Sequence, residues 1–143
     1  LKIYRGMISR KDALQAFLDE VFPQVAGEFV VEHVEEMYSE IRIPISEKHL
    51  RPGGTVSGPT MFMLADVAVY ATVLAMIGKK ALAVTTSCSL DFMRKPVAGR
   101  DLLAKCTLLK LGRVLAVGDV LLYSVGEEKP VARSTMTYSI PPK

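Results

Sequence analysis

The chain has 143 residues, of which 50% are hydrophobic and 23% are charged. This length and apolar content predict one domain over residues 1–143 and exclude a disordered chain. The 18 basic and 15 acidic residues leave a net charge of +3 and are scattered along the chain, which does not indicate a nucleic-acid partner. Two cysteines and two histidines are too few for a structural zinc site or a disulfide framework, so we expect no metal and a reducing, cytoplasmic location.

The first predicted element is a helix within the N-terminal helical segment, residues 1–25. This segment lacks the apolar core of a secretory signal peptide. Residues 11–22 place apolar side chains on one helical face, and Pro23 ends the helix. Residues 29–45 predict two strands because β-prone residues dominate there, and the glycine- and proline-containing stretch 46–57 predicts a loop.

A long apolar run follows over residues 58–78, and its only charged residue is Asp66. The run is long enough to cross a bilayer, but an aspartate near its middle would cost about 2.5–3.5 kcal/mol there. The rest of the chain has the pattern of soluble strands. We therefore predict a buried helix from about Gly58 to Ile77 and no membrane partner.

The remainder of the chain predicts four strands, over residues 82–92, 101–111, 114–124 and 130–140. In the first of these, the even-numbered residues are predicted to form one buried face, and the odd-numbered residues are expected to face solvent. A helix that is apolar on every side must be enclosed. The predicted fold is therefore α+β, with a curved antiparallel sheet wrapped around a long central apolar helix and with 82–92 as a paired central strand.

Asp66 is the first candidate for chemistry, because it lies about two turns into the predicted helix, too far from the start to cap it. A buried carboxylate is costly unless it is paired or used. One interpretation is a structural aspartate that accepts hydrogen bonds from Ser, Thr or Tyr at a packing interface. The other is a catalytic carboxylate that acts as general base or nucleophile.

The start of the same helix, Ser57–Gly58–Pro59, is the second candidate. The free N–H groups and positive dipole end of a helix stabilise an oxyanion. Gly58 permits close approach of a ligand to the backbone, and Pro59 suits the first turn because a missing N–H costs little there. Ser57 is expected to cap the helix, and its flanking residues do not form a nucleophile elbow.

The spacing of these two candidates predicts an oligomer. Gly58 and Asp66 are eight residues apart, roughly 12 Å along a helix axis. A single helix cannot easily bring both groups to one carbonyl carbon. Two copies of the helix packed side by side would do so, which predicts a homodimer or larger assembly with a site shared by two subunits.

Other polar side chains are secondary candidates for contact with a substrate. Tyr70, one turn after Asp66, is placed to hydrogen-bond a substrate or water, and Thr85 is a further polar candidate. His49 lies within reach of the helix start, whereas His33 is predicted at the surface. Three cations at strand ends are candidate phosphate ligands, although such side chains are usually solvated: Arg94, Lys95 and Arg113.

Four stretches carry a family resemblance: RPGGTVSGPTMFMLADVAVYA, AVTTSCSLDFMRKPVAG, LKLGRVLAVGDV and PVARSTMTYSI. Over about residues 40–140 the chain resembles the PaaI-like group of hotdog-fold thioesterases. The resemblance implies a hotdog fold and hydrolysis of an acyl-CoA thioester without a metal or redox cofactor. It also implies a homodimer or a dimer-of-dimers tetramer.

The resemblance assigns roles to individual positions. It places the oxyanion-donor role on Gly58 N–H and the catalytic carboxylate on Asp66, across a dimer interface. Ser57 stands where the family has histidine, Pro59 where it has a second glycine, and Arg51 where it often has Asn or Gln. Arg51 and Ser57 are therefore expected to contact the substrate.

Two other functions stay open at this stage. The changed helix start favours a non-catalytic hotdog module that binds acyl-CoA or another ligand. A hydratase or dehydratase is weaker, because those hotdog enzymes commonly have a histidine at the position of Ala71.

Overall fold

The computed structural model describes residues 6–78 and 83–141. Two helices and six strands follow in chain order: α1 (Lys11–Val21), β1 (Val30–Glu35), β2 (Tyr38–Ile43), α2 (Gly58–Ile77), β3 (Val84–Phe92), β4 (Leu102–Leu111), β5 (Leu115–Ser124) and β6 (Ala132–Ser139). Short 3₁₀ turns at Pro23–Val25 and Glu47–His49 lie between these elements. The predicted order of helices and strands is confirmed.

The strands form one antiparallel sheet in the order β1-β2-β4-β5-β6-β3. Helix α2 contacts β2, β4, β5, β6 and β3, so the sheet surrounds it. This confirms the α+β prediction of a single antiparallel sheet around a long apolar helix. Gly118 in β5 permits the close approach, because a Cβ there would lie 3.0 Å from the side chain of Val69.

Helix α2 has the boundaries that its terminal residues predict. The Ser57 side chain accepts a hydrogen bond from Thr60 N–H, which confirms the predicted cap, and Gly78 follows the last turn with a φ of 74°. Every residue from Leu64 to Met76 except Asp66 is buried. The helix is long and apolar enough to cross a membrane, but 78% of its apolar 18-residue stretch is buried inside the protein.

Helix α1 closes one end of the domain. It buries Leu14, Phe17 and Leu18 and packs against β1 and α2. Gln15 fixes it to the sheet, since the side-chain oxygen accepts a hydrogen bond from Val31 N–H (2.8 Å) and the amide nitrogen donates to Phe29 O (2.9 Å). This packing carries the end of α1 towards the middle of α2.

Strand β3 differs from the sequence prediction in both facing and position. The register shifts between Thr85 and Ser87, so one extra residue reverses the alternation of side chains. Thr85 consequently faces α2 rather than solvent, and Val84 is 56% exposed rather than buried. The prediction of a buried even-numbered face is therefore wrong, because Leu90 is the one described even-numbered residue of β3 that is partly buried, while Leu82 lies outside the described residues. Within the described chain, β3 is also an edge strand that pairs only with β6, not a central one.

Candidate active site

Asp66 is held by two hydroxyl groups from neighbouring strands. Its carboxylate oxygen Oδ1 accepts hydrogen bonds from Thr85 Oγ (2.5 Å) and from Tyr138 OH (2.6 Å). Thr85 in β3 and Tyr138 in β6 are cross-strand partners, which is why both hydroxyls reach the same oxygen. No hydrogen bond among the described residues ends on Oδ2. One carboxylate oxygen is therefore fixed by the protein, and the other has no protein donor in this part of the chain.

The carboxylate lies beside a cavity of about 290 Å³, called here the Asp66 cavity, whose wall includes Phe22, Tyr70, Ala83, Thr85 and Tyr138. The rings of Tyr70 and Tyr138 stack with centroids 6.1 Å apart, and Phe22 meets Tyr70 edge-on at 5.9 Å. Asp66 itself is half-buried. A carboxylate at the wall of an aromatic cavity is suited to act on a bound molecule, beyond its role as an acceptor for two hydroxyls.

Both tyrosines of the cavity stay protonated near neutral pH. Burial raises the pKa of Tyr138, and the neighbouring carboxylate of Asp66 raises it further. Burial also raises the pKa of Tyr70. Both hydroxyl groups therefore keep the proton that a hydrogen-bond donor needs, and Tyr138 joins the site through its contact with Asp66.

The start of α2 has a different environment, called here the Gly58 cavity. This cavity has a volume of about 430 Å³, and its wall includes Arg51, Gly58, Phe92, Arg94 and Lys95. A Cβ on residue 58 would lie 3.3 Å from the ring of Phe92, so glycine keeps the backbone close to that ring. Gly58 N–H donates to no acceptor among the described residues, and at a helix start it has no partner within the helix.

A third cavity continues from the second. It has a volume of about 490 Å³, shares Arg94 and Lys95 with the Gly58 cavity, and extends to Ser124 and Lys129, so it is called here the Lys129 cavity. Arg94 is anchored by a hydrogen bond from its guanidinium to Pro130 O (2.8 Å). The two cavities together form a groove that is lined by cations and, next to Lys129, also by the carboxylates of Glu127 and Glu128.

The predicted site residues thus fall into separate groups. Asp66, Tyr70 and Thr85 share the Asp66 cavity, whereas Arg51, Gly58, Arg94 and Lys95 share the Gly58 cavity. Ser57 lies at the start of α2, where it caps the helix. Arg113 is exposed beyond β4 and lines none of the three cavities. A single chain does not place Gly58 and Asp66 in one cavity.

The histidines take no direct part in these groups. His33 has an exposed side chain, as predicted. His49 is buried next to the helix start, but its backbone carbonyl makes the contacts there, accepting from Ser57 N–H (2.9 Å) and from Thr60 Oγ (3.3 Å). Its Nδ1 accepts from Ser46 N–H (2.9 Å). Among the described residues, no three His, Cys, Asp or Glu side chains form a group that could hold a metal ion.

Two aromatic residues of the Asp66 cavity are missing from the site that the sequence predicts. Phe22 enters because α1 packs across α2, and Tyr138 enters because β6 pairs with β3. Neither packing has a local sequence signal. The alternation of side chains in 130–140 indicates that Tyr138 shares the inward face with Ser134 and Met136, but it does not indicate a contact with Asp66.

Comparison with known proteins identifies the family. The sequence pattern of the thioesterase superfamily matches residues 53–131, which is more than half of the chain. No curated protein sequence matches the chain significantly.

Solved structures agree with this match. A protein from Silicibacter sp. TM1040, provisionally assigned as a thioesterase, is 62% identical over 99% of this chain and 100% of its own, with a TM-score of 0.88. A mutant form of the phenylacetic acid degradation protein PaaI from Thermus thermophilus is 25% identical over 88% and 99%, with a TM-score of 0.69. A Streptococcus mutans protein solved with acetyl-CoA shares the fold at 22% identity over 80% and 90%, with a TM-score of 0.70. The chain therefore belongs to the thioesterase superfamily and has the hotdog fold of the PaaI-like proteins that it resembles.

Proposed function

We propose that the protein hydrolyses an acyl-CoA thioester to a free acid and CoA. The observation that carries this proposal is the carboxylate of Asp66, held by two hydroxyls at the wall of an aromatic cavity in a chain of the thioesterase superfamily. The fold shared with a protein that binds acetyl-CoA supports a CoA thioester as the substrate. The proposed reaction needs neither a metal nor a redox cofactor.

The active site is proposed to form between two subunits. Residues 58, 62 and 66 lie on one face of α2, and Phe62, midway between Gly58 and Asp66, is 38% exposed. Two copies of α2 packed antiparallel about Phe62 would place Gly58 of one subunit opposite Asp66 of the other. The exposed edge of β3, with Phe92 55% exposed, supports the same arrangement because pairing with its own copy would cover that edge.

In this assembly the acyl group enters the Asp66 cavity and the carbonyl oxygen faces Gly58 N–H of the other subunit. Asp66 takes a proton from water while the water oxygen bonds to the carbonyl carbon. Gly58 N–H and the positive end of α2 stabilise the oxyanion, since Pro59 offers no N–H. Collapse breaks the carbon–sulfur bond, and the proton passes to sulfur. The alternative is direct attack by an Asp66 oxygen on the carbonyl carbon, which breaks the carbon–sulfur bond, releases the CoA thiolate and leaves an anhydride that water then hydrolyses.

The rest of CoA is proposed to occupy the groove formed by the Gly58 and Lys129 cavities. Arg51 and Lys95 are exposed at the groove, and Arg94 is held in place by Pro130 O. Such cations suit phosphate groups, whereas Lys129, further along the groove, is accompanied there by two glutamates. Arg113 lies apart from this groove. Its predicted contact with a phosphate therefore requires a further subunit that brings a bound CoA next to it.

The test is release of free CoA from acetyl-CoA, octanoyl-CoA and benzoyl-CoA, followed with a thiol reagent. We expect turnover of at least one thioester by the wild type and loss of turnover in Asp66→Asn. Asp119→Asn is the matched control, because Asp119 also accepts a hydrogen bond from a threonine (Thr135, 3.2 Å) but lies on β5 away from the three cavities. No turnover of any thioester by the wild type would contradict the proposal.

The second candidate function is a binding module without turnover. The observation that favours it is the start of α2, where serine replaces the histidine of the family and is engaged as a helix cap. A rise in melting temperature with benzoyl-CoA or acetyl-CoA, without release of CoA, would identify this function.

A further inference from the structure

Tyr138 is a buried residue of β6 whose hydroxyl group points at the candidate catalytic carboxylate. Its side chain is only 3% exposed, and its ring stacks on Tyr70. The hydroxyl lies 2.6 Å from Asp66 Oδ1 and 3.1 Å from the backbone oxygen of the same residue. One O–H has one proton, so the shorter contact to the charged oxygen is the main hydrogen bond.

We propose that Tyr138 is a positioning residue for catalysis, which fixes Asp66 through Oδ1 and leaves Oδ2 to accept the proton of the attacking water. This inference rests on the proposed function. It differs from a packing role because the ring alone would fill the same space, whereas the hydroxyl adds a second donor to the oxygen that Thr85 also engages.

The surroundings of Asp66 make this hydroxyl important. Thr85 is the other donor, and it also binds Oδ1, so the two donors act on one atom. Around the cavity, Val21 and Phe22 lie at the end of α1 and just after it, Ala83 and Thr85 lie just before β3 and at its start, and α2 adds Val67 and Tyr70. Within this described wall, Asp66 is the one charged side chain, and Tyr70 and Tyr138 are the other titratable ones.

The chemistry requires Tyr138 to remain a donor during turnover. Burial, together with the charge of Asp66, raises the pKa of Tyr138, so the phenol keeps its proton over the working pH range. A donor on Oδ1 stabilises the ionised carboxylate and restricts its rotation. Without that donor, Thr85 alone would hold Oδ1, so the ionised carboxylate would be less stabilised and Oδ2 less firmly directed.

The test compares Tyr138→Phe with a matched control. Tyr38→Phe removes a tyrosine hydroxyl that donates to a carboxylate at the same distance, Glu40 at 2.6 Å, on β2 outside the site. With benzoyl-CoA and acetyl-CoA we expect Tyr138→Phe to lower kcat about tenfold, with KM changed less than twofold. We also expect the acid side of its pH–rate profile to move to higher pH. Tyr38→Phe should keep the wild-type kcat and profile.

A second measurement does not depend on turnover. Asp66 is labelled with a water-soluble carbodiimide and glycine ethyl ester, and the extent of labelling is read by mass spectrometry. Carbodiimides react with the protonated carboxyl group, so we expect faster labelling of Asp66 in Tyr138→Phe than in the wild type and Tyr38→Phe. An unchanged labelling rate, an unchanged kcat, or a change confined to KM would each overturn the inference. An inactive wild type would instead refute the proposed function, while the labelling result would still decide the role of Tyr138.

Discussion

Replacing Asp66 by asparagine or alanine separates its structural role from its catalytic role. Alanine removes the carboxylate acceptor of both Thr85 and Tyr138. An unsatisfied buried hydroxyl costs about 1–3 kcal/mol. Tyr138 is buried and keeps only the backbone oxygen of residue 66, at 3.1 Å, as an acceptor, whereas Thr85 is half-buried and recovers part of the cost from water. We therefore expect Asp66→Ala to lower the free energy of unfolding by about 2–4 kcal/mol.

Asparagine keeps an oxygen of the same size at the same place. Hydrogen bonds to a charged acceptor contribute about 1.5–3 kcal/mol, against about 0.5–1.5 kcal/mol for a neutral one. Two weakened bonds are partly offset because a charge is no longer held in a half-buried position. The expected loss of unfolding free energy in Asp66→Asn is therefore about 1–2 kcal/mol.

Turnover should not follow stability: the two variants should lose stability to different extents but lose turnover to a similar extent. Neither variant can act as an anionic base, so both should lose about 10²–10⁴ in kcat. Urea unfolding gives the stability and release of CoA from benzoyl-CoA or acetyl-CoA gives kcat. A solely structural aspartate predicts normal turnover in the folded Asn variant. A kcat of Asp66→Asn within about tenfold of the wild type would refute the catalytic assignment.

Two further variants examine the start of α2. Ser57→Ala should lower the free energy of unfolding by about 1 kcal/mol as a lost cap, with a modest loss of kcat; an acyl group trapped on Ser57 during turnover and seen by intact-protein mass spectrometry would contradict this role. Gly58→Ala places a methyl group 3.3 Å from the ring of Phe92, which is exposed enough to shift. The free energy of unfolding of Gly58→Ala should change by less than about 1 kcal/mol. Its kcat should fall at least about tenfold, because the methyl group obstructs the thioester. A wild-type kcat in this variant would exclude Gly58 N–H as the oxyanion donor.

The sequence predicts α2 well because its ends have local causes. Ser57 caps the first turn, Pro59 fits within it, and Gly78 follows the last turn in a conformation that favours glycine. The strands after β3 begin and end within two residues of the predicted positions, since turns at residues 99, 112 and 126 separate them. These features depend on neighbouring residues, which the sequence shows directly.

The errors and omissions concern relations between distant residues. The bulge between Thr85 and Ser87 has no local marker, yet it turns Thr85 towards Asp66 and exposes Val84. Tyr138 reaches Asp66 only because residues 85 and 138 are paired across β3 and β6. The sequence therefore indicates the carboxylate, whereas the donors that hold it follow from strand register.

The same register gives a sharp prediction about the proposed dimer. Thr85 contacts Asp66 and Phe92 lies against Gly58 within one chain. If Gly58 faces Asp66 of a second subunit, residue 92 of β3 lies near residue 85 of the other copy. The two-fold axis then passes midway between them, at Cys88 or Ser89. In a symmetric antiparallel pair, the residue on the axis faces its own copy at a Cα distance of about 4.5–5.5 Å.

A disulfide tests this register because it requires Cα atoms about 4.4–6.8 Å apart. Cys88 is exposed, whereas burial raises the pKa of Cys106 to about 12 and keeps that thiol inert. With Cys88 on the axis, diamide should convert the protein into covalent dimers that dithiothreitol reverses, and Cys88→Ser should remain monomeric on denaturing gels. With Ser89 on the axis, the two Cys88 residues would be about 7–8 Å apart, and the crosslink should form instead in Cys88→Ser/Ser89→Cys. If neither protein forms a crosslink, or if sedimentation at micromolar concentration shows only monomer, Gly58 and Asp66 do not share a site through β3 pairing.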